Sequence, residues 1–153
     1  MSATASRPRT DTAARLRAAL GRLNRRLRPT AAGAAASLTP TRVSLLHTIN
    51  RLGPIRLSEL AAEEGINPTM LSRIVGDLAV AGLIERVCDP GDRRAALVKA
   101  TREGRRVVDR MRRERTDVLS VALDGLSATD RRNLERALPA LEQLAENLKG
   151  ARS

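Results

Sequence analysis

The chain reads as mainly α-helical with one short β-hairpin, and three observations carry that reading. Apolar residues recur at three- and four-residue spacings through most of its 153 residues. Thr39-Pro40 and Asn67-Pro68 pair an N-cap residue with a proline at the first helical position, which marks two helix starts. Only the region 83–99 places branched apolar residues on both sides of a turn-forming loop, the pattern of two paired strands. Two short helices followed directly by such a hairpin predict a winged helix-turn-helix over residues 39–100, with a three-helix core and a two-stranded β wing. The flanking segments 10–38 and 101–150 are expected to supply N- and C-terminal helices that form a dimerisation domain.

Residues 1–9 are small, polar and basic, the composition of a disordered tail. From Asp11 to Arg28 the sequence predicts a helix, with Leu16, Leu20, Leu23 and Leu27 forming a coiled-coil-like seam and arginine over much of the remaining face. Pro29 ends or bends it. The run Thr30–Ser37 is mostly alanine around Gly33, and its sequence fits a helical extension and a loop equally well. Thr39-Pro40 then opens a largely buried helix carrying Val43, Leu46 and Ile49, with Leu45 and Leu52 alongside. Gly53-Pro54 turns the chain out of it.

Leu57, Leu60 and Ala61 give the next helix its apolar set, and Gly65 can stop it, since glycine tolerates the left-handed conformation of many helix ends. Asn67 caps the following helix, Pro68 to Val80, in which Leu71, Ile74, Val75 and Leu78 share one face. The opposite face shows Pro68, Thr69, Ser72, Arg73 and Gly76, all small or hydrogen-bonding. A helix lying in a DNA major groove needs such a face, because bulky groups hold it off the base edges while hydroxyl and guanidinium groups read them. Met70 adds an apolar contact beside them.

Leu83–Val87 and Ala95–Lys99 read as strands, joined by Cys88-Asp89-Pro90-Gly91-Asp92-Arg93-Arg94. Arginine at a hairpin tip suits a phosphate backbone or a narrow minor groove, where negative potential is enhanced. Arg86 on the first strand is a further phosphate candidate. Beyond Thr101 a long helix runs towards Leu126, arginine-rich in its first half and apolar in its second. Ser127-Ala128-Thr129-Asp130 resembles a capping box opening a last helix, striped by Leu134, Leu138, Leu141, Ala145 and Leu148. Pro139 inside that stripe is expected to kink or split the helix. Three terminal helices with apolar stripes are more than one chain can bury, so a homodimer through residues 10–28 and 101–150 is expected.

The stretch LSELAAEEGINPTMLSRIVGDLAVAGLIER, followed by DPGDRRAALVKATREG, resembles the MarR family of bacterial transcription factors. The likeness extends over about residues 10–148. It implies that Asp92 and Arg94 form the family's wing Asp-x-Arg, the Asp bracing the Arg that enters the minor groove. Thr101 and Gly104 match the end of the family's wing, while Ala100 stands where a leucine is usual. The resemblance further implies a homodimeric regulator, a repressor by expectation, on a pseudo-palindromic operator. A small effector, often aromatic, would release it from a pocket between the dimer helices and the winged helix. His47 lies on the helix bordering that pocket, although a core or surface histidine is the simpler reading.

Composition narrows the alternatives. A formal net charge of +11, from 28 basic against 17 acidic residues, favours a polyanionic partner such as double-stranded DNA. One cysteine and one histidine leave no basis for a metal cluster, and no cofactor is expected. The chain has no Phe, Tyr or Trp, which argues against single-strand binding by base stacking and makes any effector pocket aliphatic. No apolar run approaches the roughly 18 residues of a membrane span and no signal-peptide pattern is present, so the cytoplasm, on the nucleoid, is the expected location. An enzyme is disfavoured: Glu63 and Glu64 are adjacent on a helix and diverge, and no nucleophile–base set is visible. A sequence-tolerant architectural DNA-binding protein is the rival reading. At single residues the alternatives are Arg73 paired with Asp77 on its own helix, Arg93 and Arg94 as a solvated tip, and Cys88 as an ordinary strand residue rather than a redox sensor.

Overall fold

The computed structural model describes residues 7–89, 91 and 96–150. The chain forms two compact units, one through Arg115 and one from Thr116 onward. The first contains α1 (Arg7–Leu27), α2 (Ala31–Ala35), α3 (Pro40–Leu52), β1 (Ile55–Arg56), α4 (Leu57–Glu64), α5 (Pro68–Val80), β2 (Ile84–Cys88), β3 (Ala96–Ala100) and the start of α6 (Arg102–Asp124). The end of α6 and all of α7 (Ala128–Gly150) make up the second.

Local chemistry explains most boundaries. Thr39 Oγ1 accepts from Arg42 N–H at the start of α3, and Asn67 Oδ1 accepts from Met70 N–H at 2.9 Å at the start of α5, each ahead of its proline. Gly65 ends α4 in the left-handed region, at φ 64°. The alanine run resolves into a short helix: Thr30 Oγ1 accepts from Gly33 N–H at 3.1 Å, and the Glu114 carboxylate of α6 accepts from Ala32 N–H at 3.0 Å. α1 starts at Arg7, so residues 7–9 belong to a helix rather than to the expected tail; residues 1–6 lie outside the described set.

The core of the first unit is aliphatic throughout. Leu45, Leu46 and Ile49 of α3 meet Leu60 of α4, Leu71, Val75 and Leu78 of α5, Val98 of β3 and Val107, Val108 and Met111 of α6. Leu52, expected beside this core, is exposed at the end of α3.

The sheet has three strands rather than two. β1 adds to the hairpin in the antiparallel order β1-β3-β2, with Ile55 opposite Val98. Within the hairpin Ile84 pairs with Ala100 and Cys88 with Ala96, so the strands run one residue later than the sequence pattern suggested. Leu83 is buried just ahead of β2; Ala95 is outside the described residues.

The wing is locked to α6 at its base. Thr101 Oγ1 donates to the Gly82 carbonyl at 2.7 Å and accepts from Gly104 N–H at 3.0 Å, capping the helix. A Cβ on Gly104 would overlap the Leu83 carbonyl oxygen. This close approach is why threonine and glycine stand three apart here. Ala100 is buried opposite Ile84.

In the second unit the capping box forms as expected: Ser127 Oγ accepts from Asp130 N–H at 3.0 Å and donates to the Asp130 carboxylate at 2.7 Å. α7 then runs as one helix through Pro139, not split there. Val118, Val121, Leu138 and Leu148 of this unit are all more than half exposed, and so is Leu23 of α1 in the first.

Candidate nucleic-acid interface

α5 is set by its buried face. Leu71, Ile74, Val75 and Leu78 are anchored in the core, which fixes the rotation of the helix and turns the other side outward. On that side Pro68, Thr69, Met70, Ser72 and Arg73 are all exposed, and Gly76 is half-buried. The N-cap bond of Asn67 holds the first turn, where a groove-reading helix makes its contacts.

Asp77 does not pair with Arg73. Its carboxylate is held instead by the Arg42 guanidinium of α3. Among the described residues no ion pair engages Arg73, so its charge stays available on the exposed face.

Arg86 is exposed on β2, opposite Val98 in the register. At the end of that strand Arg56 Nε donates to the Asp89 carboxylate at 3.0 Å, while the other Asp89 oxygen accepts from Gly91 N–H at 2.8 Å. The hairpin's departure from the sheet is thereby tied to β1. Asp92, Arg93 and Arg94, the residues of the expected wing tip, lie outside the described residues. Cys88 is exposed as a free thiol.

His47 stands apart from this surface. It lines a cavity of about 740 Å³ in the first unit, together with Leu27, Arg28, Leu38, Val43 and Arg115. Arg115 Nη1 lies 3.3 Å from His47 Nε2, and Arg115 Nε donates to the Leu27 carbonyl at 3.2 Å. A guanidinium can only donate, so Nε2 accepts and the imidazole is neutral, its proton on Nδ1. Burial, then the charges of Arg115 and Arg112, hold His47 below the usual histidine range.

Sequence reasoning found the α5 face but missed Arg42, Arg56 and Arg115. Their partners lie 35, 33 and 68 residues away, and no local spacing announces them. Among the described residues no three metal-ligating side chains gather, and no helix is long and apolar enough to cross a membrane. Glu63 and Glu64 are engaged in the fold: Glu63 pairs with Arg51 at 2.7 Å, and Glu64 accepts from the hydroxyls of Ser44 and Thr48.

Comparison with known proteins places this surface in context. Residues 38–96 match the model of the MarR family. The chain is 30% identical over 128 residues to an HTH-type transcriptional regulator of Mycobacterium bovis, covering 84% of this chain and 88% of that protein. Its fold is similar to that of a transcriptional regulator from Thermotoga maritima, with a TM-score of 0.78 and 23% identity over 92% of this chain and 98% of the other. A MarR family protein from Bacillus stearothermophilus superposes with a TM-score of 0.75 and 21% identity, covering 94% and 99% of the two chains.

Proposed function

Because the chain belongs to the MarR family of transcriptional regulators, we propose that it is a homodimeric repressor of a pseudo-palindromic operator, released by a small molecule. The exposed face of α5 carries the proposal, above all Arg73, in no ion pair among the described residues, beside an Asp77 already neutralised by Arg42. α5 enters the major groove. Thr69, Ser72 and Arg73 read base edges or phosphates, Pro68 and Met70 pack against the groove, and Arg86 meets the backbone. Arg94, braced by Asp92, works the minor groove, with Arg93 on phosphate. The exposed stripes of α1, α6 and α7 pair two copies, which sets the two recognition helices about one helical turn apart. The protein acts in the cytoplasm, on the nucleoid.

The cavity bordered by His47 supports ligand control. It lies among α1, α3 and α6, so an occupant there would bias how the winged helix is held relative to α1. Incubating the protein with sheared DNA of its own genome near physiological salt, then sequencing what it retains, tests the reading. A few enriched sites sharing an inverted repeat are expected. Uniform retention that fades with salt would instead indicate a sequence-tolerant architectural protein, since phosphate contacts carry affinity without sequence.

A further inference from the structure

We infer that the cavity of the first unit takes an aliphatic carboxylate, its head between Arg28 and Arg115 and its saturated body against Leu27, Leu38, Pro40 and Val43. The inference deepens the ligand-release reading above and rests on it for its regulatory meaning.

The charge of the lining comes first. Two guanidiniums, Arg28 and Arg115, line the cavity, and no carboxylate does. Arg115 commits Nε to the Leu27 carbonyl and Nη1 to His47, which fixes the plane of its guanidinium. Its second terminal nitrogen has no partner among the described residues, and Arg28 is in no ion pair there. His47, neutral as the acceptor from Arg115, adds no charge of its own to the lining. The carboxylates beside the lining are engaged elsewhere: Glu64 accepts from the hydroxyls of Ser44 and Thr48, and Glu114 accepts from Ala32 N–H. The oriented guanidinium of Arg115, with the exposed Arg28 beside it, favours a planar oxyanion that can accept from both.

The body of the ligand follows from what the wall lacks. Pro29, Ala34, Leu38, Pro40 and Val43 give an apolar surface, and His47 supplies the one π-face among the lining side chains. No Phe, Tyr or Trp occurs anywhere in the chain, so a second copy could not supply one either. With no Phe, Tyr or Trp in the lining, the wall beyond His47 and the arginines is aliphatic, and a flexible saturated chain can follow it. A cavity of about 740 Å³ has room for a medium-length chain.

Calorimetric titration of the full-length protein with decanoate, below its micelle concentration, tests this, with 1-decanol and benzoate as comparison ligands. Decanoate should bind and raise the melting temperature. Loss of a charged hydrogen bond should make 1-decanol, and decanoate on Arg28→Gln, weaker by about tenfold or more. Arg115→Gln should behave alike; Arg115→Lys, which keeps the charge, should retain much of the binding and covers the case in which Arg115→Gln does not fold. Absence of decanoate binding, benzoate binding more tightly than decanoate, or unchanged affinity in Arg28→Gln would overturn the inference. A parallel DNA-retention assay separates the two levels: decanoate that binds without releasing DNA upholds the ligand class and overturns its role as the releasing effector.

Discussion

The Asp77 carboxylate of α5 is held by Arg42 of α3 and not by Arg73, one turn back on its own helix. The pair ties the recognition helix to the helix behind it and engages the carboxylate that stands four residues after Arg73. Arg73→Ala should therefore lower operator affinity while leaving stability nearly unchanged. A lost base or phosphate contact is worth about 1–3 kcal/mol, and an exposed arginine in no ion pair among the described residues contributes within about 0.5 kcal/mol to folding. Fluorescence anisotropy at fixed salt and thermal unfolding would check both halves. Operator affinity equal to that of the unaltered protein would remove Arg73 from the interface.

Arg42→Ala should show the complementary pattern. Both partners of its ion pair are about a third or more exposed, so the direct cost to stability is at most about 1 kcal/mol. Asp77, once released, can pair with Arg73 at the four-residue spacing and draw its charge from the DNA face. Arg42→Ala should thus weaken DNA binding although Arg42 need not touch DNA, and adding Asp77→Ala should restore part of the loss. A double-mutant cycle read in DNA affinity tests this; no restoration would mean that Arg42 acts directly.

Gly104→Ala should be among the more damaging single changes in the chain. The added methyl meets backbone, the Leu83 carbonyl, which cannot rotate away as a side chain would. Overpacking of this kind costs about 1–3 kcal/mol or more, and the shift falls on the junction of wing and α6. At this chain length a melting temperature lower by several degrees is expected, about 2–4 °C per kcal/mol. A melting temperature unchanged by Gly104→Ala would show that the contact between α6 and Leu83 relaxes freely.

These relationships separate what the sequence made legible from what it did not. α5 was readable to the residue, because Asn67, Pro68 and the set Leu71, Ile74, Val75 and Leu78 act within one helix and carry both its start and its rotation. The Ser127–Asp130 cap was readable for the same reason. β1 was not, since two residues cannot display a period and its pairing partner Val98 is 43 positions away. The alanine run left α2 open: alanine favours helix but gives no face, and the deciding bond comes from Glu114 of α6. Arg42, Arg56 and Arg115 shared that obscurity, each defined by a partner that only the fold brings near.

His47 gives the stability a dependence on pH. Its folded pKa lies below the ordinary value of about 6.5, first through burial and then through Arg115 and Arg112. The unfolded chain therefore binds the proton more readily than the folded one. Above about pH 6.5 the imidazole is neutral in both states and carries no penalty; as pH falls through and below that value, protonation favours unfolding until the folded pKa is passed. The melting temperature should fall over this window, and the difference between the unaltered protein and His47→Gln should grow as pH drops from 7 towards 5. Parallel curves for the two proteins would show that His47 does not titrate differently on folding.

Val121 of α6 and Leu138 of α7 test the dimer. In the single chain Val121 is 74% exposed and Leu138 51%, so neither is needed to hold its own helix, and aspartate at either place should leave the helical content intact. In a homodimer covering these stripes the same aspartate would be buried without a partner on both copies, a cost that association has to overcome twice. Sedimentation equilibrium should therefore show Val121→Asp and Leu138→Asp shifting towards monomer at unchanged circular dichroism. Operator affinity should fall further than any single contact explains, because two linked half-site contacts become one and the effective concentration of the second reader is lost. Variants that remain dimeric and bind as before would place the contact between copies elsewhere on the chain, and would require another occupant for the exposed leucines and valines of α6 and α7.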